Sequence, residues 1–525
     1  MAVQVFDTTL RDGAQREGIT YSVADKLAIA RLLDGFGVGF IEGGWPGAMP
    51  KDTEFFARAR TELELRHAVL VAFGSTRHKD ATAKSDPQVQ ALLAAESPAV
   101  CLVAKSDVRH VERALRTNLE ENLAMVRDTV EYLRSEGRRV LVDCEHFFDG
   151  FRYNPEYAAK VVAAAYEAGA ETVVLCDTNG GMLPSRITSA ITDLRALLPD
   201  PATALGIHCQ NDTSCAVANT IAAVEAGVVQ VQCTANGYGE RPGNADLFAV
   251  VANLQLKMGM QVLPDGCLEQ AVRVSHAIAE IANLAPDAHQ AYVGAAAFAH
   301  KAGIHASAIK VDPLLYNHVD PEVVGNDMKI LVTEMAGRAS IELKSRSLGL
   351  DLSSSPQALA SVTDSVKRLE ARGWSFEAAD ASFELLVREA LPEGVVRPFT
   401  LESYRVIVEH RGDGAVVSEA TVKLLVRGER VIATAEGNGP INALDEALRT
   451  ALRGAYPALE SFELADYKVR ILAGTHGTAA VTRVLVETAD DHGGDWTTVG
   501  VHENVVEASW HALVDALTYG LVKAG

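Results

Sequence analysis

Residues 1–260 repeat one beat eight times: a short apolar run, then an amphipathic stretch, and that beat limits the folds open to the chain. The runs predicted as strands are 3–7, 40–42, 68–73, 99–105, 139–146, 172–178, 204–210 and 228–235. Between them lie helical patterns such as 23–36, where Leu27, Ala30, Leu33 and Phe36 share a face and Ser22 with Asp25 reads as an N-terminal cap. Strands buried on both faces are near-continuously apolar, as these are, and belong to parallel sheets. Eight beats without a clear Gly-rich dinucleotide turn predict a closed (β/α)8 TIM barrel rather than an open doubly wound sheet.

Polar residues gather where such a barrel keeps its chemistry. Asp12, Glu42, Lys105, Glu145, Asp177, Thr178, His208, Gln210 and Asn236 all stand at or just past the C-terminal ends of the runs. Asp7–Gln15 sets a cation (Arg11), a carboxylate (Asp12) and an amide (Gln15) in one tight turn, equipment suited to holding a small α-keto acid beside a metal ion. Gly206–Asp212 supplies a second polar cluster at the matching point of a later beat.

The chain is 525 residues long and 48% hydrophobic, too long for one ordinary domain. Three domains are expected: the barrel at 1–265, a helical linker or lid region at 266–395, and a dimerisation and regulatory domain at 396–525. In the last, Tyr404 and Tyr467, 63 residues apart, each open three alternating runs followed by a helix (443–452 and 508–517), so the domain is read as two βββα repeats. The turns at 437–440 and 474–477 are candidates to frame an effector pocket.

A net charge of −21 argues against nucleic-acid and anionic-membrane partners. No apolar run reaches the length of a membrane span, and the first strand starts too early for a signal peptide. Seven cysteines without a Cys-x-x-Cys pair fit buried free thiols in a reducing cytoplasm better than a zinc–thiolate site.

Asp7–Gln15, Ile41–Pro46, Leu175–Gly181, Gly206–Asp212 and Asn236–Asn244 together resemble the Claisen-condensing synthases, the family of 2-isopropylmalate, homocitrate and citramalate synthases. The resemblance covers nearly the whole chain. Gly44-Trp45-Pro46 with Lys51-Asp52, and Phe298–Ser307, look most like the citramalate branch, whose members condense pyruvate with acetyl-CoA and release CoA. A 2-isopropylmalate-type condensation and a non-catalytic regulatory relative are the competing readings.

The resemblance implies a divalent metal on Asp12 and His208, with Asn244 close by. The family's second histidine is replaced by Gln210, which keeps the same strand face but offers an amide oxygen, so Mg²⁺ or Mn²⁺ is favoured over Zn²⁺. It further implies that Arg11 stabilises charge on the keto oxygen, with Glu42 or Glu145 as its partner. Gln15, Glu42, Thr178, Glu240 and Tyr316 are candidates for substrate contact, and Glu145 or His305 for the proton transfers. His305 is expected to act across a homodimer, and isoleucine is the expected effector. Cys233 stands where the family has glycine, and its side chain is expected to crowd the barrel mouth.

Overall fold

The computed structural model describes residues 3–301, 303–332, 337–392, 394–395, 397–472 and 480–524. Eight parallel strands close into a barrel in sequence order: β1 (Gln4–Asp7), β2 (Phe40–Gly44), β3 (Val69–Ser75), β4 (Ala99–Lys105), β5 (Arg139–Glu145), β6 (Thr172–Asp177), β7 (Leu205–Cys209) and β8 (Gln230–Cys233). Closure is made by β1 on β8, with Phe6 opposite Gln232. Helices separate the strands as the periodicity predicts. Helix α1 (Val23–Phe36) starts on a capping box in which the Ser22 hydroxyl accepts from Asp25 N–H while the Asp25 carboxylate accepts from Ser22 N–H.

Alternation along each strand divides the side chains into two cores. Phe6, Phe40, Val71, Phe73, Ala99, Cys101 and Leu141 fill the barrel, while their neighbours in sequence pack between barrel and helices. This division corrects the expectation for Cys233. Gln232 points into the barrel, where it meets His208, so Cys233 points outward into the barrel–helix core and leaves the mouth clear. All seven cysteines are free.

One buried ion pair shapes the turn after β2. Lys26, on α1, bonds the Asp52 carboxylate at the start of α2 (Pro50–Glu62) and the Gly43 carbonyl, and the other Asp52 oxygen accepts from Trp45 N–H at 2.8 Å. Gly44 sits at φ 139°, and a Cβ there would lie 2.4 Å from the Asp52 carboxylate, so only glycine allows this approach. Burial outweighs Asp52's attraction and lowers the Lys26 pKa.

The chain divides into two compact units. The first runs to Phe298 and takes in Val319–Asp327; the second comprises Ala299–His318 and everything from Met328 onward. The second unit contains helices Arg338–Ser347, Pro356–Glu370 and Asp380–Ala390, then two three-stranded antiparallel sheets, each followed by a helix. The sheets are Phe399–His410, Val416–Val426, Glu429–Gly437 and Phe462–Ile471, Thr482–Asp490, Asp495–His502; the helices are Pro440–Leu452 and Val505–Ala524. The register slips between Leu401 and Ser403 in one repeat and between Leu464 and Asp466 in the other, the same point 63 residues on. The turn at 437–440 leads into the helix Pro440–Leu452; the turn at 474–477 lies outside the described residues. No helix among the described residues is long and apolar enough to cross a membrane.

Removing one partner of the Lys26–Asp52 pair strands a buried charge, which costs about 3–5 kcal/mol. Asp52→Leu is therefore expected to lower the urea midpoint of the barrel markedly, and Lys26→Met added to it to recover most of the loss; an additive double mutant would show that the pair is not coupled.

Candidate active site

The strand ends surround a cavity of about 400 Å³. Its floor begins at the turn after β1, where the Asp7 carboxylate accepts from the backbone and hydroxyl of Thr9 at 2.9 and 2.8 Å. That turn aims Arg11 and Asp12 inward and sets Gln15 on the rim. Arg11 is fixed from two sides: Nε donates to Glu42 Oε2 at 2.6 Å, and the guanidinium lies over the Phe73 ring at 4.0 Å. Burial disfavours its charge, but the Glu42, Asp12 and Asp143 carboxylates outweigh that and raise its pKa.

Asp12 Oδ2 meets His208 Nε2 at 3.1 Å and Gln210 Nε2 at 3.3 Å. Burial would raise the Asp12 pKa, yet Arg11, His208 and Asn244 hold it well below the usual carboxylate range. The orientation of His208 is set from behind. Gln232 Nε2 donates to Asp143 Oδ1 at 2.8 Å, which also accepts from the Cys101 thiol at 3.2 Å. This leaves Gln232 Oε1 facing His208 Nδ1 at 2.8 Å, so Nδ1 carries the proton. The His208 nitrogen facing Asp12 is then an acceptor opposite an acceptor, unless a proton or a metal ion stands between them.

Two neighbouring amides carry oxygens without partners. Gln210 Oε1 and Asn244 Oδ1 are buried, and neither has a hydrogen-bond partner. Asn244 is held through Nδ2, which donates to Tyr238 O at 3.0 Å, in a position that Gly239 permits: a Cβ there would lie 2.3 Å from that nitrogen. Oxygen atoms left unpaired in a dry site are costly, and a cation relieves that cost. The Asp12 carboxylate and His208 Nε2, 3.1 Å apart, match neighbouring vertices around a six-coordinate ion with bonds of about 2.1 Å, whereas the Gln210 atom facing Asp12 is its Nε2, so that amide must turn over to offer its oxygen. The donor set fits a hard divalent cation.

The other predicted residues divide. Gln15, Glu145, Thr178 and Glu240 line the cavity. Thr178 Oγ1 accepts from His146 N–H at 2.8 Å, which leaves its own proton free to donate. Glu145 is bonded to Lys105 and not to Arg11, a correction: Lys105 on β4 sits directly opposite Glu145 on β5. Glu42 does not line the cavity. It lies fully buried behind Arg11, also accepting from the Thr8 hydroxyl at 2.6 Å, so it supports the guanidinium from outside the cavity. His305 and Tyr316 belong to the second unit, where their rings stack at 4.1 Å.

Several lining residues were not predicted from sequence. Trp45, Phe73 and Val103 form an apolar wall, and Arg241 sits at the rim, donating to Asp212 at 2.9 Å and to the Thr178 carbonyl at 2.7 Å. Gln232 and Asp143 were missed as well, although two glutamines alternating in an apolar strand (Gln230, Gln232) were a readable sign of a polar inward face. Glu42, Cys101 and Asp143 bring three potential ligand atoms within 4.8 Å of one another. Arg11, Thr8 and Gln232 already engage the two carboxylates, and burial pushes the Cys101 thiol well up, so this trio serves as the anionic backing of the site.

Residues 2–283 match the HMGL-like family, 292–373 the homocitrate synthase post-HMGL domain-like family, and 377–521 the LeuA allosteric (dimerisation) domain. The chain is 63% identical over 521 residues to an (R)-citramalate synthase of Streptomyces coelicolor, covering 99% of this chain and 97% of that protein. It is 47% identical to an (R)-citramalate synthase of Aquifex aeolicus (99% and 98%) and 31% identical to a 2-isopropylmalate synthase of Methanocaldococcus jannaschii (99% and 95%). The chain belongs to the HMGL-like family, in its citramalate synthase branch.

Proposed function

We propose that the chain joins the methyl carbon of acetyl-CoA to the keto carbon of pyruvate, giving (R)-citramalate and CoA within isoleucine biosynthesis. The observation that carries the reading is the Asp12 carboxylate opposite an acceptor nitrogen of His208 at 3.1 Å, with the Gln210 amide beside them. Relatives named (R)-citramalate synthase supply the choice of product.

Asp12, His208, Gln210 and Asn244 would hold the metal, and an oxygen-rich set with one imidazole favours Mg²⁺ or Mn²⁺ over Zn²⁺. When bound, it polarises the keto carbonyl as a Lewis acid. Arg11, locked by Glu42 and Phe73, faces the charge that grows on the keto oxygen as the new carbon–carbon bond forms. The free Thr178 proton donates to the keto-acid carboxylate, with Gln15 beside it, and Trp45, Phe73 and Val103 enclose the methyl group.

The acetyl methyl must lose a proton first. Two groups have the chemistry to take it. Glu145 lines the cavity and is bonded to Lys105, whose pKa is lowered by burial. His305, with Tyr316 stacked on its ring, reaches the site from the partner subunit of a homodimer. Glu240, on the loop after β8, lies toward the thioester, which water then hydrolyses to release CoA. The LeuA-type repeat is read as the dimerisation and effector domain, with isoleucine as effector and the cytoplasm as compartment.

Purified protein given pyruvate and acetyl-CoA is expected to release CoA thiol with Mg²⁺ or Mn²⁺, to stop with EDTA, and to use 2-ketoisovalerate at least about tenfold less efficiently in kcat/KM. No thiol release with any keto acid overturns the reading. His305→Ala should abolish turnover while pyruvate binding, followed by calorimetry, persists; undiminished turnover leaves Glu145 as the base. Gln232→Leu frees the His208 tautomer and should weaken Mn²⁺ binding about 10–100-fold. The Gln232→Glu/Asp143→Asn double variant, which keeps an acceptor on Nδ1 and the total charge, should restore most of it. Equal Mn²⁺ affinity in all three proteins removes Gln232 from this role.

A further inference from the structure

The active-site cavity has a neighbour. A second cavity of about 310 Å³ lies beside the turn after β1, and Arg11, Gln15 and Trp45 line both. The side chamber has an apolar part, made by Leu10, Ile19 and Met49, and a polar part that includes Tyr21, Lys51 and the Lys26–Asp52 pair. It lies next to the space where the reading above puts the pyruvate methyl group, and the Trp45 indole is the bulky apolar side chain common to the two cavities.

Trp45 is held as a partition would have to be. Its backbone N–H is tied to Asp52, the preceding Gly44 is pressed against the same carboxylate, and the indole packs edge-on against Phe73 at 5.2 Å. Its position is thus set by the backbone and by Phe73, whereas the indole nitrogen itself is buried with no hydrogen-bond partner.

We propose that the Trp45 indole limits the size of the 2-keto acid by closing the side chamber off from the active site, and that a smaller residue opens the chamber to the aliphatic side chain of a longer or branched 2-keto acid. This rests on the condensation of a keto acid proposed above and adds the residue that sets its specificity. Pyruvate ends in a methyl group and needs no room beyond the wall. Each further methylene must find space, and a site that grants or denies it changes discrimination by about 10–200-fold.

The test compares kcat/KM for pyruvate, 2-ketobutyrate and 2-ketoisovalerate in the full-length wild type and in Trp45→Phe, Trp45→Leu and Trp45→Ala. The ratio of 2-ketoisovalerate to pyruvate is expected to climb as side-chain volume falls, by at least about tenfold at Leu. Adding Ala14→Leu, which adds volume to another residue of the chamber wall, should return the ratio of Trp45→Leu toward that of the wild type, a reversal that general loosening of the site would not give. Trp45→Phe keeps an aromatic edge against Phe73 and decides the matter if the smaller variants do not fold. A ratio unchanged in variants that still turn over pyruvate overturns the partition, whereas a wild type inert toward every keto acid overturns the underlying reading instead.

Discussion

His208 and Asp12 face each other with two acceptors 3.1 Å apart, and much of the barrel interior is arranged to keep them so. Left to itself, a neutral imidazole beside a carboxylate turns its N–H toward the oxygen. Here the proton is drawn to the other nitrogen because Gln232, itself oriented by Asp143, offers only its carbonyl. Burial opposes charge on His208, but Asp12 more than compensates, and its pKa is raised. The pair therefore attracts a positive charge into the gap between them, and turning the Gln210 amide over would bring its unpaired oxygen toward the same charge.

Arg11 belongs to the same electrostatic balance. Glu42, Asp143 and Asp12 surround it closely enough to keep it ionised despite burial, so one permanent cation stands beside a cluster that seeks another. Both face the same cavity, and the Phe73 ring removes the remaining freedom of the guanidinium. Preorganised charge of this kind lowers the barrier of a reaction that builds an alkoxide, because the protein need not reorient as the charge appears. The folded barrel bears the cost of holding these like charges near one another. It does so by burying Glu42 with two strong donors, Thr8 and Arg11, and Asp143 with Gln232 and Cys101.

Strand and helix were legible wherever a period ran long enough. The apolar runs gave all eight barrel strands with ends shifted by a few residues, helix 23–36 emerged with the same limits, and the 63-residue repeat foretold two βββα units, whose matching register slips only the structure shows. Arg11, Asp12, Gln15, Thr178, His208 and Gln210 could be gathered because barrel chemistry sits at strand ends. What sequence could not resolve was which face a residue turns and which neighbour it takes. Cys233 was expected at the mouth, but the inward turn of Gln232 sends it outward. Glu42 was expected to touch substrate, but it stands one layer behind Arg11. Lys105 captured Glu145 because strand order puts β4 against β5, a fact of register that no local pattern carries.

The repeats of the second unit show how a duplicated element becomes a single structure. Tyr404 and Tyr467 occupy matching strand positions, yet both hydroxyls bond the same helix, Val505–Ala524: Tyr404 to Glu507, and Tyr467 to Ser509 at 2.6 Å. Perfect symmetry would have sent each tyrosine to the helix of its own repeat. Because the first repeat crosses over, the last helix is anchored by both sheets, and the core that joins them draws on Leu444 and Leu448 from one helix and Trp510 and Leu517 from the other. A displacement of Val505–Ala524 would have to break contacts in both repeats together. The duplication thus yields one cooperative body rather than two adjacent copies.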